Sequence, residues 1–169
     1  MEYIWNYTSR MGKMMMASDG ENLTGLWFEE QQYYASTLSD KVVEKNLPVF
    51  EKTIEWLERY FQGENPDIEE IPMAPMGSEF RKSVWKILCE IPYGKTVTYG
   101  EIAKRIATER GIERMSAQAI GGAVGHNPIS IIIPCHRVIG SDGSLTGYAG
   151  GLGLKRKLLE HERANIPKK

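Results

Sequence analysis

Between Gly63 and Gly77 the chain reads GENPDIEEIPMAPMG, with Pro66, Pro72 and Pro75 inside fifteen residues. Each proline fixes its own φ and removes a backbone N–H, so the run can be neither a helix nor a central strand. It is expected to be an extended linker over 63–77 that divides the chain into two domains, 1–77 and 78–169, each closing its own core. The charge divides at the same place. Residues 1–77 carry 6 Lys and Arg against 14 Asp and Glu, a net of −8, whereas residues 78–169 carry 15 against 8, a net of +7. A basic half of this kind has the footprint of a polyanion binder, although solvated lysines with no partner would give the same count.

In the acidic half the runs Met1–Tyr7, Gly12–Ala17 and Leu23–Phe28 alternate loosely, and Asp19-Gly20 marks a turn. They are expected to form a small antiparallel sheet. A helix follows, with Asn46 as N-cap, Pro48 in its first turn and Gly63 at its end. Its apolar face is Val49, Phe50, Thr53, Ile54, Leu57, Tyr60 and Phe61. The carboxylates Glu51, Glu55 and Glu58 fall on the polar face without catalytic spacing, so this half reads as scaffold.

The basic half reads as mainly helical, which makes the whole chain α/β in the α+β sense. Ser78 caps a helix whose apolar face is Phe80, Val84, Trp85, Leu88 and Ile91, with Cys89 as a core thiol. Thr98 and Glu101 have the spacing of a capping box and open a helix with Ile102, Ala103, Ile106 and Ala107 on one face. After a break at Gly111, a second helix runs from Ser116 to Gly125. Ala119, Ile120, Ala123 and Val124 are its expected buried face; Ala117, Gln118, Gly121, Gly122 and Gly125 are the other. Two short helices with a glycine between them read as a helix-turn-helix. A helical glycine costs about 1 kcal/mol against alanine, so three of them imply close approach to another backbone, in a neighbouring helix or in a nucleic-acid groove. The last helix, Leu154 to Glu162, is expected to turn Lys155, Arg156 and Lys157 outward.

Ile129 and Ile131–Ile133 form a β-branched run that reads as a buried strand stopped by Pro134. Cys135, His136, Arg137 and Val138 come next. A cysteine beside a histidine is commonly a small core residue with a solvent-facing neighbour, and in isolation the pair carries no activity. The run Gly140–Gly151 is a glycine-rich loop with no dinucleotide fingerprint. With only Cys89 and Cys135, the chain has no disulfide framework and suits a reducing, cytoplasmic setting. His126, His136 and His161 show no zinc-ligand spacing, so no metal is expected. No run is apolar enough for a membrane span or a signal peptide.

The Pro-Cys-His-Arg-Val stretch, together with Ser78 to Glu162 around it, resembles the active site of the O6-alkylguanine-DNA alkyltransferases. The resemblance implies that Cys135 accepts the alkyl group and that Cys135, a water, His136 and Glu162 form a proton relay. It implies that Tyr99 contacts the flipped base and helps guanine leave, and that Asn127 is a hinge between recognition helix and active site. Tyr148, Ala149 and Val138 would wall the base pocket. Ala117, Gln118, Gly121, Gly122 and Arg137 would contact DNA, with Gln118 standing where the family usually carries arginine. The implied partner is double-stranded DNA containing O6-alkylguanine, with O4-alkylthymine as a second lesion. The protein would act as a monomer, without a cofactor, once per molecule. Chemistry at O6 requires the nucleotide to leave the stack, and a thioether product has no easy reversal. The alternative is a non-catalytic helix-turn-helix protein that recognises alkylated DNA, against which Cys135 argues. A cysteine hydrolase would need an oxyanion-hole motif that the sequence does not display.

Overall fold

A computed structural model of the chain describes residues 1–29, 31, 34–145 and 151–165, apart from the side chain of residue 152. The backbone forms two compact units. One comprises Met1–Gly77 with Pro128–Ile132, the other Ser78–Asn127 with Ile133–Lys169. Five residues just upstream of Cys135 thus group with the first unit, across the boundary expected at residue 77.

The first unit is a four-stranded sheet with one helix. Strands β1 (Glu2–Ser9), β2 (Gly12–Ser18), β3 (Leu23–Phe28) and β4 (Val42–Glu44) lie in the order β3-β2-β1-β4. The β1–β2 and β2–β3 pairs are antiparallel, but β4 joins β1 in parallel, so the sheet is mixed. β4 escapes a reading by alternation because a three-residue strand is too short to show a period. Residues Met14–Ser18 of β2 are all buried, which fits a central strand covered on both faces. On one face Met15, Ala17 and Trp27 cluster under Ile4, Ala35 and Leu38. Gly25 belongs to this face: a Cβ there would lie 2.0 Å from the Trp27 ring, so only glycine lets the indole cross the strand.

Helix α1 (Pro48–Phe61) packs on β1 and β2 and buries Val49, Phe50, Thr53, Trp56, Leu57, Tyr60 and Phe61. Trp56, not among the residues of the expected apolar face, is buried, and Ile54, which is among them, is only half-buried. The N-cap is Leu47, not Asn46, whose side chain donates to Glu51 instead. Proline at N1 removes one of the unpaired N–H groups of the first turn, and its fixed φ suits the helix start.

The proline-rich run is fastened rather than free. The Leu23 N–H donates to the Pro72 carbonyl (2.8 Å), and the Ala74 N–H donates to Leu23 O (2.8 Å). The Trp56 indole donates to Asp67 O, and Arg59 pairs with Glu70. A 3-10 turn spans Ile68–Glu70 behind an Asp67 capping box, and Ile71 is buried. Proline loses a donor but keeps its carbonyl, so it can still pair along one edge of a strand.

The same edge of β3 holds Pro128–Ile132. Leu26 N–H donates to Pro128 O (2.7 Å), Ser130 N–H donates to Leu26 O (2.9 Å), and Ile129 bridges Leu26 in parallel. The isoleucine run is therefore not a strand. It makes one bridge and then turns, with Ile131 at φ +69° and Ile132 N–H donating to Ser130 O (2.8 Å). A β-branched residue in that region carries about 1–3 kcal/mol of strain, tolerated only where the surroundings hold it.

The second unit is built on helices α2 (Glu79–Leu88), α3 (Tyr99–Arg110), α4 (Ala117–Gly125) and α5 (Leu152–Ala164). Helices α2, α3 and α4 pack on one another. The α2 contribution is Val84, Trp85, Ile87 and Leu88, with the Trp85 indole donating to Ala123 O (2.8 Å). Ser78, Thr98 and Ser116 each cap the helix that follows by accepting a backbone N–H. Such a cap is worth about 1 kcal/mol. Gly111 (φ +65°) ends α3 in the left-handed region that closes a helix. A two-stranded parallel ladder pairs β5 (Val97–Thr98) with β6 (Val138–Ile139). It ties the residue before Tyr99 to the residues directly after Arg137.

Candidate active site

Pro134 leads into a 3-10 turn, Cys135–Arg137, closed by Cys135 N–H to Ile133 O (2.8 Å) and Arg137 N–H to Pro134 O (3.0 Å). The thiol, imidazole and guanidinium are thus curled on one turn, not splayed along an extended strand. All three residues are buried.

The second and third side chains converge on Glu162, which α5 delivers with no exposure to solvent. His136 Nε2 lies 2.5 Å from Glu162 Oε2. Arg137 donates from Nε to Oε1 (2.8 Å) and from Nη2 to Oε2 (3.1 Å), and its Nη1 donates to Ile91 O (2.7 Å). The Gly94 N–H adds a further bond to Oε1 (3.1 Å). Burial pushes the Glu162 carboxyl up, but the interactions with His136 and then with Arg137 outweigh it and hold the group well below the usual carboxylate range. Glu162 is ionised, so the His136 nitrogen facing it carries the proton. The other ring nitrogen, Nδ1, then holds a lone pair; it is buried and hydrogen-bonded to no described protein atom. Burial is the main reason that His136 titrates below the ordinary histidine value. At neutral pH it is an uncharged imidazole with a free base site.

Arg137 is turned inward, and this corrects its assignment to the DNA surface. It is 6 % exposed, its fork is spent on Glu162 and Ile91, and it lies over the Tyr93 ring at 5.6 Å. It positions Glu162. Lys155 is corrected too. It has no exposure, and burial lowers its ammonium to about 8, partly offset by the charge of a nearby Cys135 thiolate. Its Nζ lies 5.7 Å over the Tyr99 ring. Sequence reading sends charged residues outward, yet Lys155, Leu158 and Glu162 fall at i, i+3 and i+7, one face of α5. A helix that turns Glu162 inward must turn Lys155 inward with it.

Asn127 is buried, and its side-chain amide donates to Ile133 O (2.9 Å), closing the neck of the five-residue excursion Pro128–Ile132 before Cys135. Tyr99 opens α3, half-buried, beside Gly121. Along α4, Ala117, Gln118 and Gly122 are exposed, as is Ala119, which the periodicity places in the core; Gly121 is half-buried. A Cβ on Gly122 would meet nothing within 4 Å, and one on Gly121 only the Tyr99 ring at 3.9 Å. No packing within the described residues requires these two glycines. The small-residue face is open to an outside partner. Val138 is fully buried in β6, paired with Val97, and offers no surface to a base in this structure. Tyr148 and Ala149 lie outside the described residues. Cys89 is half-buried, and burial, then Glu90, pushes its thiol up to about 11, so it is protonated and unreactive at neutral pH. Among the described residues no cluster of His, Cys, Asp and Glu could hold a metal, and no helix is long and apolar enough to cross a membrane.

Two family models match almost the whole chain. Residues 3–75 match the ribonuclease-like domain of 6-O-methylguanine DNA methyltransferase, and residues 79–164 match its DNA binding domain. A methylated-DNA–protein-cysteine methyltransferase of Haemophilus influenzae is 45 % identical over 161 residues, 95 % of this chain and 86 % of that protein. One from Methanosarcina mazei is 45 % identical over 153 residues, 90 % and 92 % of the two chains. Among solved structures, the O6-methylguanine methyltransferase of Mycobacterium tuberculosis superposes with a TM-score of 0.83 at 40 % identity, covering 100 % of this chain and 97 % of that one. The Mycobacterium tuberculosis protein in complex with DNA gives the same score at 39 % identity, covering 98 % and 95 %.

The buried network sets a pH dependence of stability. Below about pH 6.5, the ordinary histidine value, the unfolded chain takes up a proton that folded His136 refuses, so stability falls with pH. Below about 4.5, the ordinary value for glutamate, Glu162 adds a second loss. Urea midpoints from pH 7 to pH 4 should decline in this way. Glu162→Gln should start lower and decline less steeply, whereas equal slopes would show that Glu162 is not held ionised by the network.

Proposed function

Because the chain belongs to the 6-O-methylguanine DNA methyltransferase family, we propose that Cys135 is the residue to which it moves an alkyl group from O6 of guanine. The activity is repair of DNA by alkyl transfer to a cysteine of the protein, and DNA is its partner. The observation that carries the assignment of Cys135 is the turn it heads, in which the following residue is a neutral, buried base aimed by an ionised carboxylate.

The steps follow from these groups. A water between the thiol and His136 Nδ1 passes the Cys135 proton to the imidazole, and Glu162 stabilises the imidazolium that forms. The Lys155 cation favours the thiolate, since a nearby positive charge lowers a thiol. The sulfur attacks the alkyl carbon, the bond from that carbon to O6 breaks, and the electron pair leaves with guanine. The Tyr99 hydroxyl hydrogen-bonds the departing base. The product is a thioether on Cys135, so one molecule handles one lesion. O4-alkylthymine presents the same O-alkyl carbon and is the second substrate.

The lesion must be extruded from the stack to reach a buried sulfur. The open face of α4 suits such extrusion, because Ala117, Gly121 and Gly122 let the helix backbone enter the minor groove. Gln118 stands where it can hydrogen-bond the orphaned base. A neutral Gln118 contributes no phosphate-neutralising charge, which places the electrostatic part of binding on the other basic residues of this unit. Asn127 links α4 to the turn. The protein works as a cytoplasmic monomer without a cofactor.

Incubated with duplex DNA containing O6-methylguanine, the protein should gain one methyl group on Cys135 and none on Cys89, read by intact mass and peptide mapping. Cys135→Ala should bind the duplex and transfer nothing. Turnover beyond one equivalent, or label on Cys89, would contradict the assignment. The single-turnover rate should fall as pH rises through about 8, where Lys155 loses its charge. Loss of that cation leaves less thiolate, so Lys155→Met should lower the plateau and erase the alkaline decline. A Lys155→Met profile of unchanged shape would remove Lys155 from the scheme.

A further inference from the structure

The chain leaves the second unit after Asn127, runs through the first for Pro128–Ile132, and re-enters the second at Ile133, two residues before Cys135. This five-residue strap is the backbone from which the turn is hung. Every hydrogen-bonding group of Ser130 is engaged. Its N–H donates to Leu26 O (2.9 Å), its carbonyl accepts from Ile132 N–H (2.8 Å), and its hydroxyl donates to Gln31 Oε1 (3.1 Å). Ile131, at φ +69° and buried, follows immediately.

Gln31 is itself buried, and the Phe28 N–H donates to the same Oε1 (2.8 Å). A backbone N–H can only donate, so the amide oxygen must face it, and the Ser130 hydroxyl then has an acceptor and no alternative. One oxygen thus ties the end of β3 to the strap. Nothing in the left-handed turn at Ile131 favours it locally, since isoleucine is poorly suited to that region. The turn is held by its anchors: the two backbone bonds to Leu26, the Gln31–Ser130 bond upstream, and Asn127 on Ile133 downstream.

We propose that Gln31, through Ser130, is a positioning residue for Cys135: the acidic unit fixes the strained strap and thereby sets where the sulfur sits relative to His136. This rests on the assignment of Cys135 made above. It gives the first unit a part in the chemistry beyond scaffold, carried by covalent continuity of the chain.

The test uses the full chain in a Cys89→Ala background, so that Cys135 is the single thiol, with Gln31→Met, Gln31→Glu, Ser130→Ala and the Gln31→Met/Ser130→Ala pair. Three quantities are read: the single-turnover rate on an O6-methylguanine duplex, the Kd for that duplex, and the pH profile of Cys135 alkylation by iodoacetamide without DNA. Gln31→Met should slow transfer by about tenfold or more, since displacements of about 1 Å at a reacting group cost up to about 10²-fold. The Kd should stay within about twofold. The iodoacetamide profile should move to higher pH as the thiol loses register with its base. Gln31→Glu keeps an oxygen acceptor for both donors and should restore rate and profile. The double variant should be no slower than Gln31→Met, because Ser130→Ala removes only a bond that Gln31→Met has already cut. Rates and profiles like the parent's in Gln31→Met and Ser130→Ala would overturn the proposal, as would a Gln31→Glu variant as slow as Gln31→Met. Should Gln31→Met not fold, Ser130→Ala and Gln31→Glu decide the matter by the same readings. A parent protein that takes no methyl on Cys135 would refute the acceptor assignment instead, while the iodoacetamide profiles would still test the strap.

Discussion

A carboxylate with no access to water holds the centre of this protein. Glu162 accepts hydrogen bonds from His136, twice from Arg137, and from the Gly94 N–H, so both of its oxygens are bound. Burying a charge without such partners is prohibitive, and removing one partner from a buried pair costs about 3–5 kcal/mol because the other charge is stranded. The network therefore specifies more than stability. It brings α5, the loop after α2 (Ile91 and Gly94) and the 3-10 turn to one point, and it selects the tautomer of His136. Arg137 is central to this. It keeps Glu162 ionised beside a neutral imidazole, and so leaves Nδ1 as a base.

Much of this is legible in the chain, for identifiable reasons. Caps at Ser78, Thr98 and Ser116 act through local hydrogen bonds, and local chemistry survives in sequence. The pairing of Glu162 with His136 comes through resemblance, since nothing in the spacing of residues 136 and 162 shows that they meet. Two charges read wrongly. Arg137 goes to the DNA surface with the residues grouped there by resemblance, and Lys155 goes outward on the general rule that charges are solvated, a rule that fails where the partner is itself a buried charge or a thiol. The isoleucine run misleads for a different reason. Composition reports that a segment is buried, but not whether its hydrogen bonds go to a ladder, and Ile131 breaks the ladder after one bridge.

The β3 edge shows how prolines and glycines divide labour in this chain. Leu23 and Leu26 each give an N–H and a carbonyl to a proline-led segment on the same free edge, residues 72–74 at Leu23 and 128–130 at Leu26. Prolines that exclude these segments from a central strand leave them suited to an edge. The glycines of α4 follow the opposite logic. They weaken the helix and serve no described packing at Gly121 or Gly122, so their use lies in what the helix must approach.

The transfer proposed at Cys135 depends on the protonation state of one imidazole. Nitrogen-15 NMR of His136 in the free protein at neutral pH reads both ring nitrogens directly. The network requires Nε2 to carry the proton, hydrogen-bonded to Glu162, and Nδ1 to be unprotonated, with no change until the pH falls below the ordinary histidine range. An imidazolium at neutral pH, or a proton on Nδ1, would contradict this, because His136 would then have no base to offer the Cys135 thiol.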